Sequence, residues 1–198
     1  MSDEPEEKTP PRHVPGEKFL EARTVLVFGG IDDKLAKSVV EQILYLDHVK
    51  KAPIKLIISS PGGHVESGDA VHDIIRYVRS PVVAIGSGWV ASAGAHIFLA
   101  AEKENRVCLP NTRFLIHQPA GGAQGRAGDI AIQAEQIVKM RQRLAQVISD
   151  RTGQPVDRVM ADIERDYWMT TEEAMAYGIL SKVVNTADDV DGMAVFKG

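Results

Sequence analysis

Three residues of the chain, in the order serine, histidine and aspartate, have the side chains that a nucleophilic hydrolase needs. Ser92 lies in a run of small residues, His117 follows a short apolar run, and Asp166 ends the triplet Glu-Arg-Asp. A serine hydroxyl is a poor nucleophile at neutral pH, so an imidazole must take its proton and a carboxylate must orient that imidazole. The sequence therefore predicts a triad in which Ser92 is the nucleophile, His117 the base and Asp166 the orienting acid.

The order of these residues along the chain limits the kinds of enzyme that could carry them. Chymotrypsin-like, subtilisin-like and α/β-hydrolase enzymes place their triad residues in three other orders. Ser92 also lacks the Gly-x-Ser-x-Gly elbow of the α/β-hydrolases, because Val90 occupies the first glycine position. All three families are therefore disfavoured.

Two turns rich in small residues could supply backbone N–H groups for a developing oxyanion. Residues 87–95 lead Ser92 into an apolar helix, where unpaired N–H groups and the positive end of the helix dipole favour negative charge. A buried strand predicted at residues 54–58 ends in the turn Ser-Ser-Pro-Gly-Gly at residues 59–63. Glycine allows positive φ and close backbone approach, so we expect the N–H of Gly63 to face a substrate carbonyl.

Each position of the triad has rivals nearby. His64 directly follows the glycine turn and is the serious rival as base, whereas His96 lies in an apolar helix and is expected to be packed and hydrogen-bonded. Asp162 and Glu164 are the rival acids. Taken alone, Ser92 would be interpreted as a helix N-cap.

The sequence predicts neither a metal site nor a disulfide. Histidines and carboxylates within residues 64–73 could share one helix face, but they match no recognised ligand spacing and suit a solvated face better. Cys108 is the only cysteine, which excludes an intramolecular disulfide. Because Cys108 lies in a short β-like apolar run, we expect it to be a small buried side chain.

The length, composition and charge of the chain limit the kinds of protein it could be. The chain has 198 residues, of which 44% are hydrophobic, enough for one domain with a sizeable core. The formal net charge of −4, with basic residues interspersed among acids, argues against a nucleic-acid partner. The sequence has no apolar run of membrane-spanning length and an acidic rather than basic N-terminus, so we expect no membrane association and a cytoplasmic protein.

Strand patterns alternate with helical patterns, which predicts a layered α/β fold. The predicted strands are residues 24–28, 54–58, 81–85 and 114–116, and residues 107–109 form a short β-like run. Amphipathic helices are predicted to start at residues 32–33 and after the glycine turn at residues 59–63. The longest predicted helix, residues 129–149, has an apolar stripe that we expect to pack in the core. We divide the chain into a flexible, proline-rich, acidic tail (residues 1–16), a folded domain that carries the triad (residues 17–187) and a C-terminal tail (residues 188–198).

Four segments resemble, in order, the motifs of the proteolytic subunit of the Clp protease (ClpP), a family of serine peptidases. The turn Ser-Pro-Gly-Gly at residues 60–63 resembles the family's turn, and Ala-Ser-Ala-Gly-Ala at residues 91–95 resembles its nucleophile motif. Residues 116–125 resemble its histidine segment and handle turn, and residues 164–166 its acid segment. The resemblance covers roughly residues 23–184, and four motifs in register make chance agreement improbable.

The resemblance implies a role for each site residue. It makes Ser92 the nucleophile, His117 the base and Asp166 the residue that orients the base. It adds the backbone N–H of Ala93 to that of Gly63 as the oxyanion hole. Ala93 departs from the methionine that is usual in the family, a change that keeps the N–H and removes apolar bulk beside the scissile bond.

The resemblance also implies a fold and an assembly. The fold would be a crotonase-like stack of ββα units with a protruding strand-turn-helix handle, and the assembly two stacked heptameric rings, in which Arg165 contacts the opposite ring. The substrates would be unfolded polypeptides and peptides, delivered by a Clp-type unfoldase ATPase ring. ATP would be used only by that partner, so no cofactor is expected in this chain. Residues 1–22 depart from the family's N-terminal segment, which contacts the ATPase.

Two other functions are weighed against an oligomeric serine endopeptidase. A crotonase-like acyl-CoA enzyme also binds an oxyanion with two backbone amides, but it needs no Ser-His-Asp set. A catalytically silent ring subunit would shape a mixed assembly, but such subunits typically lose members of the triad. The complete set of triad residues argues against both alternatives.

Overall fold

Seven strands and seven α-helices are interspersed along residues 15–122 and 124–194, the residues described by the computed structural model. The strands are β1 (Thr24–Phe28), β2 (Ile54–Ser60), β3 (Val82–Ala91), β4 (Arg106–Cys108), β5 (Arg113–Ile116), β6 (Tyr167–Met169) and β7 (Lys182–Val183). The helices are α1 (Pro15–Glu21), α2 (Asp33–Val49), α3 (Val65–Tyr77), α4 (Ala93–Leu99), α5 (Ala127–Thr152), α6 (Val156–Asp162) and α7 (Thr171–Tyr177). Within this described part of the chain, no helix combines the length and apolarity that crossing a bilayer requires.

One sheet organises the fold, and most of its strand pairs are parallel. The strands follow the order β1-β2-β3-β4-β7, with β5 paired to β3 and β6 paired antiparallel to β5. The ten-residue β3 has two successive neighbours on the same side: residues 84–86 pair with β4, and residues 89–91 pair with β5. The carboxyl ends of β3 and β5 therefore lie side by side, and these are the strands that precede the predicted nucleophile and base.

Strand β3 is longer than the sequence predicted. The strand expected at residues 81–85 continues to Ala91, and only Ser92 separates it from α4, so the small residues before Ser92 form strand rather than turn. Pairing with β4 through residues 84–86 and with β5 through residues 89–91 carries the strand across the glycines and the serine between them, which have low β-propensity. Close packing explains the small residues, because a Cβ at Gly86 would lie 3.1–3.2 Å from three neighbouring side chains.

Helix α2 forms where the sequence predicted a helix after residue 32. Asp32 is its N-cap, and its Oδ1 accepts a 2.7 Å hydrogen bond from the N–H of Leu35. The apolar residues then recur at helical spacing and are buried on one face, namely Ala36, Val39, Ile43 and Leu46.

Helices α3 and α4 pack closely behind the end of β3. All seven residues of α4 are buried, as the apolar pattern predicted. Gly68 of α3 allows the close approach, because a Cβ at that position would lie 3.1 Å from the Cβ of Ala93. Cys108 on β4 is buried and free, which confirms the interpretation of that residue as a packed side chain.

Helix α5 is buried only in its C-terminal half, through Leu144, Ala145 and Ile148. The expected core packing therefore holds only for the C-terminal part of its apolar stripe, since Ile132 is 57% exposed in the single chain. The exposed part fits the handle that the resemblance implies. The described residues between β5 and α5, which are 117–122 and 124–126, contain no strand, so α5 is the regular part of the handle. Gly153, in the left-handed conformation, ends the helix.

Residues 188–194, which the sequence analysis assigned to a C-terminal tail, cover a second small apolar cluster. Val190 packs there with Val83, Ile85, Val107 and Val184. The tail predicted at residues 1–16 lies, apart from its last two residues, outside the described residues. The domain boundaries remain a prediction.

Candidate active site

Ser92 is the single residue between β3 and α4, and its backbone is strained. Its φ of 54° and ψ of −121° lie in a region that side-chain-bearing residues rarely adopt, at a cost of about 1–3 kcal/mol. Its N–H donates to the carbonyl of Leu115, 2.9 Å away, which fixes the turn against β5. The residue occupies the N-cap position, but its side chain makes no capping bond. The N-cap interpretation therefore does not account for the hydroxyl.

The three predicted triad side chains form one hydrogen-bonded chain. The Oγ of Ser92 lies 2.8 Å from Nε2 of His117, and Nδ1 of His117 lies 2.9 Å from Oδ1 of Asp166. A carboxylate only accepts, so Nδ1–H donates to Asp166, which leaves Nε2 to accept from the serine hydroxyl. The side chains of His117 and Asp166 are 28% and 63% exposed in the single chain.

The sheet explains why residues so far apart in sequence meet. His117 directly follows β5 and Asp166 directly precedes β6, and the two strands are antiparallel with Ile116 opposite Tyr167. His117 and Asp166, one residue beyond this pair on each strand, therefore lie next to each other. Gln118 fastens the two segments, because its N–H donates to the carbonyl of Ile163 and its side-chain amide to the carbonyl of Glu164.

The rival residues bond elsewhere. Asp162 accepts from the hydroxyl of Tyr177, 2.9 Å away, and Glu164 pairs with Arg141 at 2.5 Å. His64 follows the glycine turn and bonds Ser67 at 2.8 Å through Nδ1. The candidate site therefore contains the acid and the base that the sequence analysis preferred.

The glycine turn after β2 lies directly against Ser92. A Cβ at Gly62 would be 2.5 Å from the Cβ of Ser92, so only glycine fits. The φ of Gly63 is 153°, and a Cβ there would overlap the backbone of Ile31. Ile31 pairs with this turn through two hydrogen bonds: its N–H donates to the carbonyl of Gly62, and its carbonyl accepts from the N–H of His64. The N–H of Gly63 takes no part in that pairing. This geometry requires the two glycines that the sequence analysis singled out.

The second predicted oxyanion donor is the first residue of α4. Because α4 begins at Ala93, the residue four positions earlier lies outside the helix, and the N–H of Ala93 has no partner within α4. With Gly63, it could supply two donors next to the nucleophile.

A narrow, mainly apolar cavity opens beside Ser92 and His117. It lies between α3, α4 and α5 and the segment after β5. Its apolar lining is Val65, Ala93, Ala95, Leu99, Ile116, Pro119, Leu144 and Ile148. The polar residues in its lining are Ser92, His117 and His96. An aliphatic side chain next to a scissile bond at Ser92 would find an apolar environment there.

A polar network behind this cavity was not predicted. Asp69 of α3 lies 2.9 Å from Nε2 of His96 on α4 and accepts two bonds, of 2.9 and 2.6 Å, from the guanidinium of Arg143 on α5. Burial favours a raised pKa for the Asp69 carboxyl, but the bonds from His96 and Arg143 outweigh it and hold the pKa well below its usual range. His72 stacks on His96 with ring centroids 4.4 Å apart. Asp69 and His72 belong to the helix face within residues 64–73 that was expected to be solvated, and that expectation is wrong for these two side chains, which are 19% and 10% exposed. Because their partners lie on α4 and α5, the sequence does not signal the network.

Arg165, predicted as a ring contact, lies beside the triad acid and is exposed. Within residues 15–122 and 124–194 of the single chain, it forms no ion pair. Its guanidinium is thus available to a carboxylate of another subunit.

Comparisons with known proteins cover most of the chain. The sequence model of the Clp protease family matches residues 13–187. The "ATP-dependent Clp protease proteolytic subunit 3" of Rhizobium meliloti (strain 1021) is 50% identical over 172 residues, which are 87% of this chain and 88% of that protein. The "ATP-dependent Clp protease proteolytic subunit" of Paracoccus denitrificans is 54% identical over 166 residues, which are 84% and 83% of the two chains.

A solved structure also resembles this fold. ClpP1 from Listeria monocytogenes superposes with a TM-score of 0.81 at 42% sequence identity, and the match covers 90% of this chain and 100% of that one.

Proposed function

The chain belongs to the Clp protease family, and we propose that it is the proteolytic subunit of an ATP-dependent Clp protease, cleaving polypeptides as a serine endopeptidase. The observation that carries the serine mechanism is the hydrogen-bonded chain from Ser92 Oγ through His117 to Asp166 at a strained strand-to-helix turn. Family membership supports peptidase chemistry, and the geometry of the three side chains supports the serine type.

Acylation begins with proton transfer within the triad. Nε2 of His117 takes the hydroxyl proton as Oγ of Ser92 attacks the carbonyl carbon of the scissile peptide. The carbonyl oxygen becomes an oxyanion that accepts from the N–H groups of Gly63 and Ala93. As the C–N bond breaks, His117 gives its proton to the departing amine, and the acyl group remains on Ser92.

Deacylation repeats these steps with water. Nε2 of His117 takes a proton from a water molecule, whose oxygen attacks the acyl carbon. The ester bond to Ser92 then breaks, and the proton returns to Oγ as the carboxylic acid leaves. Asp166 holds the imidazole in the required tautomer throughout and stabilises the transient imidazolium.

The assembly proposed for the chain is two stacked heptameric rings enclosing the active sites, fed by a Clp-type unfoldase ATPase ring. The relatives of this chain are named as proteolytic subunits of ATP-dependent Clp proteases, and that name describes one component of a larger complex. The exposed apolar half of α5 supports a subunit contact, because Ile132 and Val138 are 57% and 54% exposed in the single chain. ATP belongs to the partner in this proposal, and the chain itself uses no cofactor.

We expect Arg165→Ala to convert the assembly into smaller, inactive particles. An exposed ion pair contributes only about 0–1 kcal/mol, but this one would repeat at every contact between the rings. The residue adjoins Asp166, so loss of the contact would also loosen the triad acid. Sedimentation velocity should show a particle of about half the wild-type mass, with peptidase activity falling in parallel.

The matched control is Arg79→Ala, which removes the same charge from another exposed position. It should leave both mass and activity unchanged. Wild-type protein that sediments as a monomer or dimer over a wide concentration range with full activity would contradict the ring and the role of Arg165.

An internally quenched peptide tests the proposed reaction. Mass spectrometry of the products should show cleavage between internal residues, and an acyl-CoA panel should show no hydrolysis or hydration. Turnover of acyl-CoA without peptide cleavage would favour the crotonase-like alternative. The absence of both reactions in well-folded, assembled protein would favour the silent ring subunit.

A further inference from the structure

The two predicted oxyanion donors are backbone groups at the starts of two neighbouring helices. Gly63 lies two residues before the first residue of α3, and Ala93 is the first residue of α4. The distance and angle between their N–H groups therefore depend on how α3 lies against α4. Because a misplacement of about 1 Å can cost about 100-fold in rate, the contacts that hold these two helices together matter for catalysis.

Close packing limits how near α3 and α4 can come, but it does little to stop them from moving apart. A Cβ at Gly68 of α3 would lie 3.1 Å from the Cβ of Ala93, and a Cβ at Gly62 would lie 2.5 Å from the Cβ of Ser92. Contacts between such small groups resist compression, but they gain little attractive energy because few atoms meet. A directional bond between the helices opposes their separation more effectively.

Asp69 makes such a bond, one residue after Gly68 in α3. Its Oδ1 accepts a 2.9 Å hydrogen bond from Nε2 of His96, which lies three residues after Ala93 in α4. Arg143 of α5 donates two further bonds to the same carboxylate, of 2.9 Å to Oδ1 and 2.6 Å to Oδ2. The carboxylate therefore joins α3 to two other helices through charge-assisted bonds, which are about twice as strong as bonds between neutral groups.

A second ionic network connects the same part of the fold further from the oxyanion donors. Glu102, which follows α4, pairs with Arg76 of α3 and, at 3.3 Å, with Arg151 of α5. Arg76 lies seven residues beyond Asp69 in α3, which is about 10 Å along the helix axis. Loss of this network would weaken the packing of the helices without acting directly at the helix starts that carry the donors.

We propose that Asp69 is a positioning residue of the peptidase, which holds α3 against α4 so that the N–H groups of Gly63 and Ala93 converge on the oxyanion. The inference rests on the proposed function. Asp69 lies behind the cavity beside Ser92, so it acts through the two helices rather than on the substrate. Bonds to the oxyanion strengthen as charge develops in the transition state, so loss of this connection should lower kcat and leave KM nearly unchanged.

Asp69→Leu tests this role, because leucine has a similar size and accepts no hydrogen bond. Its kcat on a fluorogenic peptide should fall by about 10- to 100-fold, less than the roughly 10²- to 10³-fold cost of losing a donor, with KM within about threefold of the wild-type value. Asp69→Asn keeps an oxygen that accepts from Nε2 of His96, so its kcat should stay within about threefold of the wild-type value.

A peptide boronate separates positioning of the donors from general loosening of the fold. Its tetrahedral adduct on Ser92 places an oxygen between the two N–H groups, so its inhibition constant for Asp69→Leu should rise by the same factor as kcat/KM falls. The pH at which kcat/KM is half-maximal should match that of the wild type, because the hydrogen-bonded chain of the triad is left intact.

Glu102→Met is the matched control, because it removes a carboxylate that also receives bonds from two elements. Its kcat should stay within about twofold of the wild-type value, whatever its melting temperature. An equal fall of kcat in Glu102→Met, a loss in Asp69→Leu that lies in KM alone, or an equally low kcat in Asp69→Asn would overturn the role of Asp69.

Arg143→Gln keeps the proposal testable where Asp69→Leu fails to fold. The side chain of Arg143 is 48% exposed, so its replacement leaves no buried charge without a partner. The variant frees the Asp69 carboxylate from two of its three bonds, and kcat should fall by about threefold or more with KM nearly unchanged. A wild-type kcat in this variant would overturn the role.

The proposed function is judged separately in the same assay. Cleavage of the peptide by the wild type and not by Ser92→Ala supports serine peptidase chemistry whatever the Asp69 variants do. Failure of the assembled wild type to cleave the peptide would contradict the proposed function, and the role of Asp69 with it. A wild-type kcat in Asp69→Leu would overturn the positioning role alone.

Discussion

Replacing Ser92 with alanine should abolish hydrolysis of a fluorogenic peptide, lowering kcat by about 10⁴- to 10⁶-fold. The Ser92 hydroxyl oxygen is the atom that becomes acylated. With alanine in its place, His117 has nothing to deprotonate except water. Residual turnover would come from substrate binding and the oxyanion donors alone. The measurement is kcat for purified Ser92→Ala, prepared in a host that lacks related peptidases.

Two controls separate chemistry from folding. Sedimentation and thermal unfolding of Ser92→Ala should match the wild type, because the side chain makes no capping bond. Ser87→Ala, on the same strand β3, should retain full activity. Wild-type turnover by a clean Ser92→Ala preparation would remove Ser92 from the mechanism.

Asp166→Asn should lower kcat by roughly 10⁴-fold, with a much smaller effect on KM. Its Oδ1 accepts from Nδ1 of His117 at 2.9 Å, and an asparagine can instead donate to that nitrogen. The proton would then sit on Nε2, where it blocks acceptance from the serine hydroxyl. Steady-state kinetics on the assembled variant measure the effect.

Asp162→Asn is the natural comparison, since Asp162 is the rival acid four residues earlier. It accepts from Tyr177 rather than from the triad histidine, so its variant should lose less than about tenfold in kcat. Strong loss in Asp162→Asn with near-normal activity in Asp166→Asn would reassign the acid.

The sequence predicted the framework because periodicity and turn chemistry are local signals. The strand at residues 24–28 and helix α2 occupy their predicted positions, and α3 follows the glycine turn as expected. The crotonase-like α/β fold class, which rested on four motifs, is confirmed by the match to ClpP1 structures. Residues with distinctive chemistry, such as Ser92 and His117, could be chosen by type because few combinations of side chains activate a serine.

The parts that were missed depend on tertiary contacts. Strand β3 runs to Ala91 because β5 pairs with it. The small residues before Ser92 give no sign of this pairing in the sequence. The exposure of the first half of α5 could not be read from its apolar pattern, since a stripe covered by another subunit has the same spacing as one covered by the core. His96 was expected to be packed and hydrogen-bonded, and it is, but its place in the cavity wall follows from how three helices meet.

Labelling with a fluorophosphonate tests the central claim, that Ser92 is an activated nucleophile, most directly. The reagent forms a covalent adduct with a serine hydroxyl whose proton a neighbouring base can take. We expect one adduct per chain, within the tryptic peptide of residues 80–103, and fragment ions that place it on Ser92 rather than on Ser80 or Ser87. His117→Ala should abolish the labelling while the protein stays assembled. An adduct on another residue, or an unlabelled Ser92 in protein that hydrolyses peptides, would contradict the account.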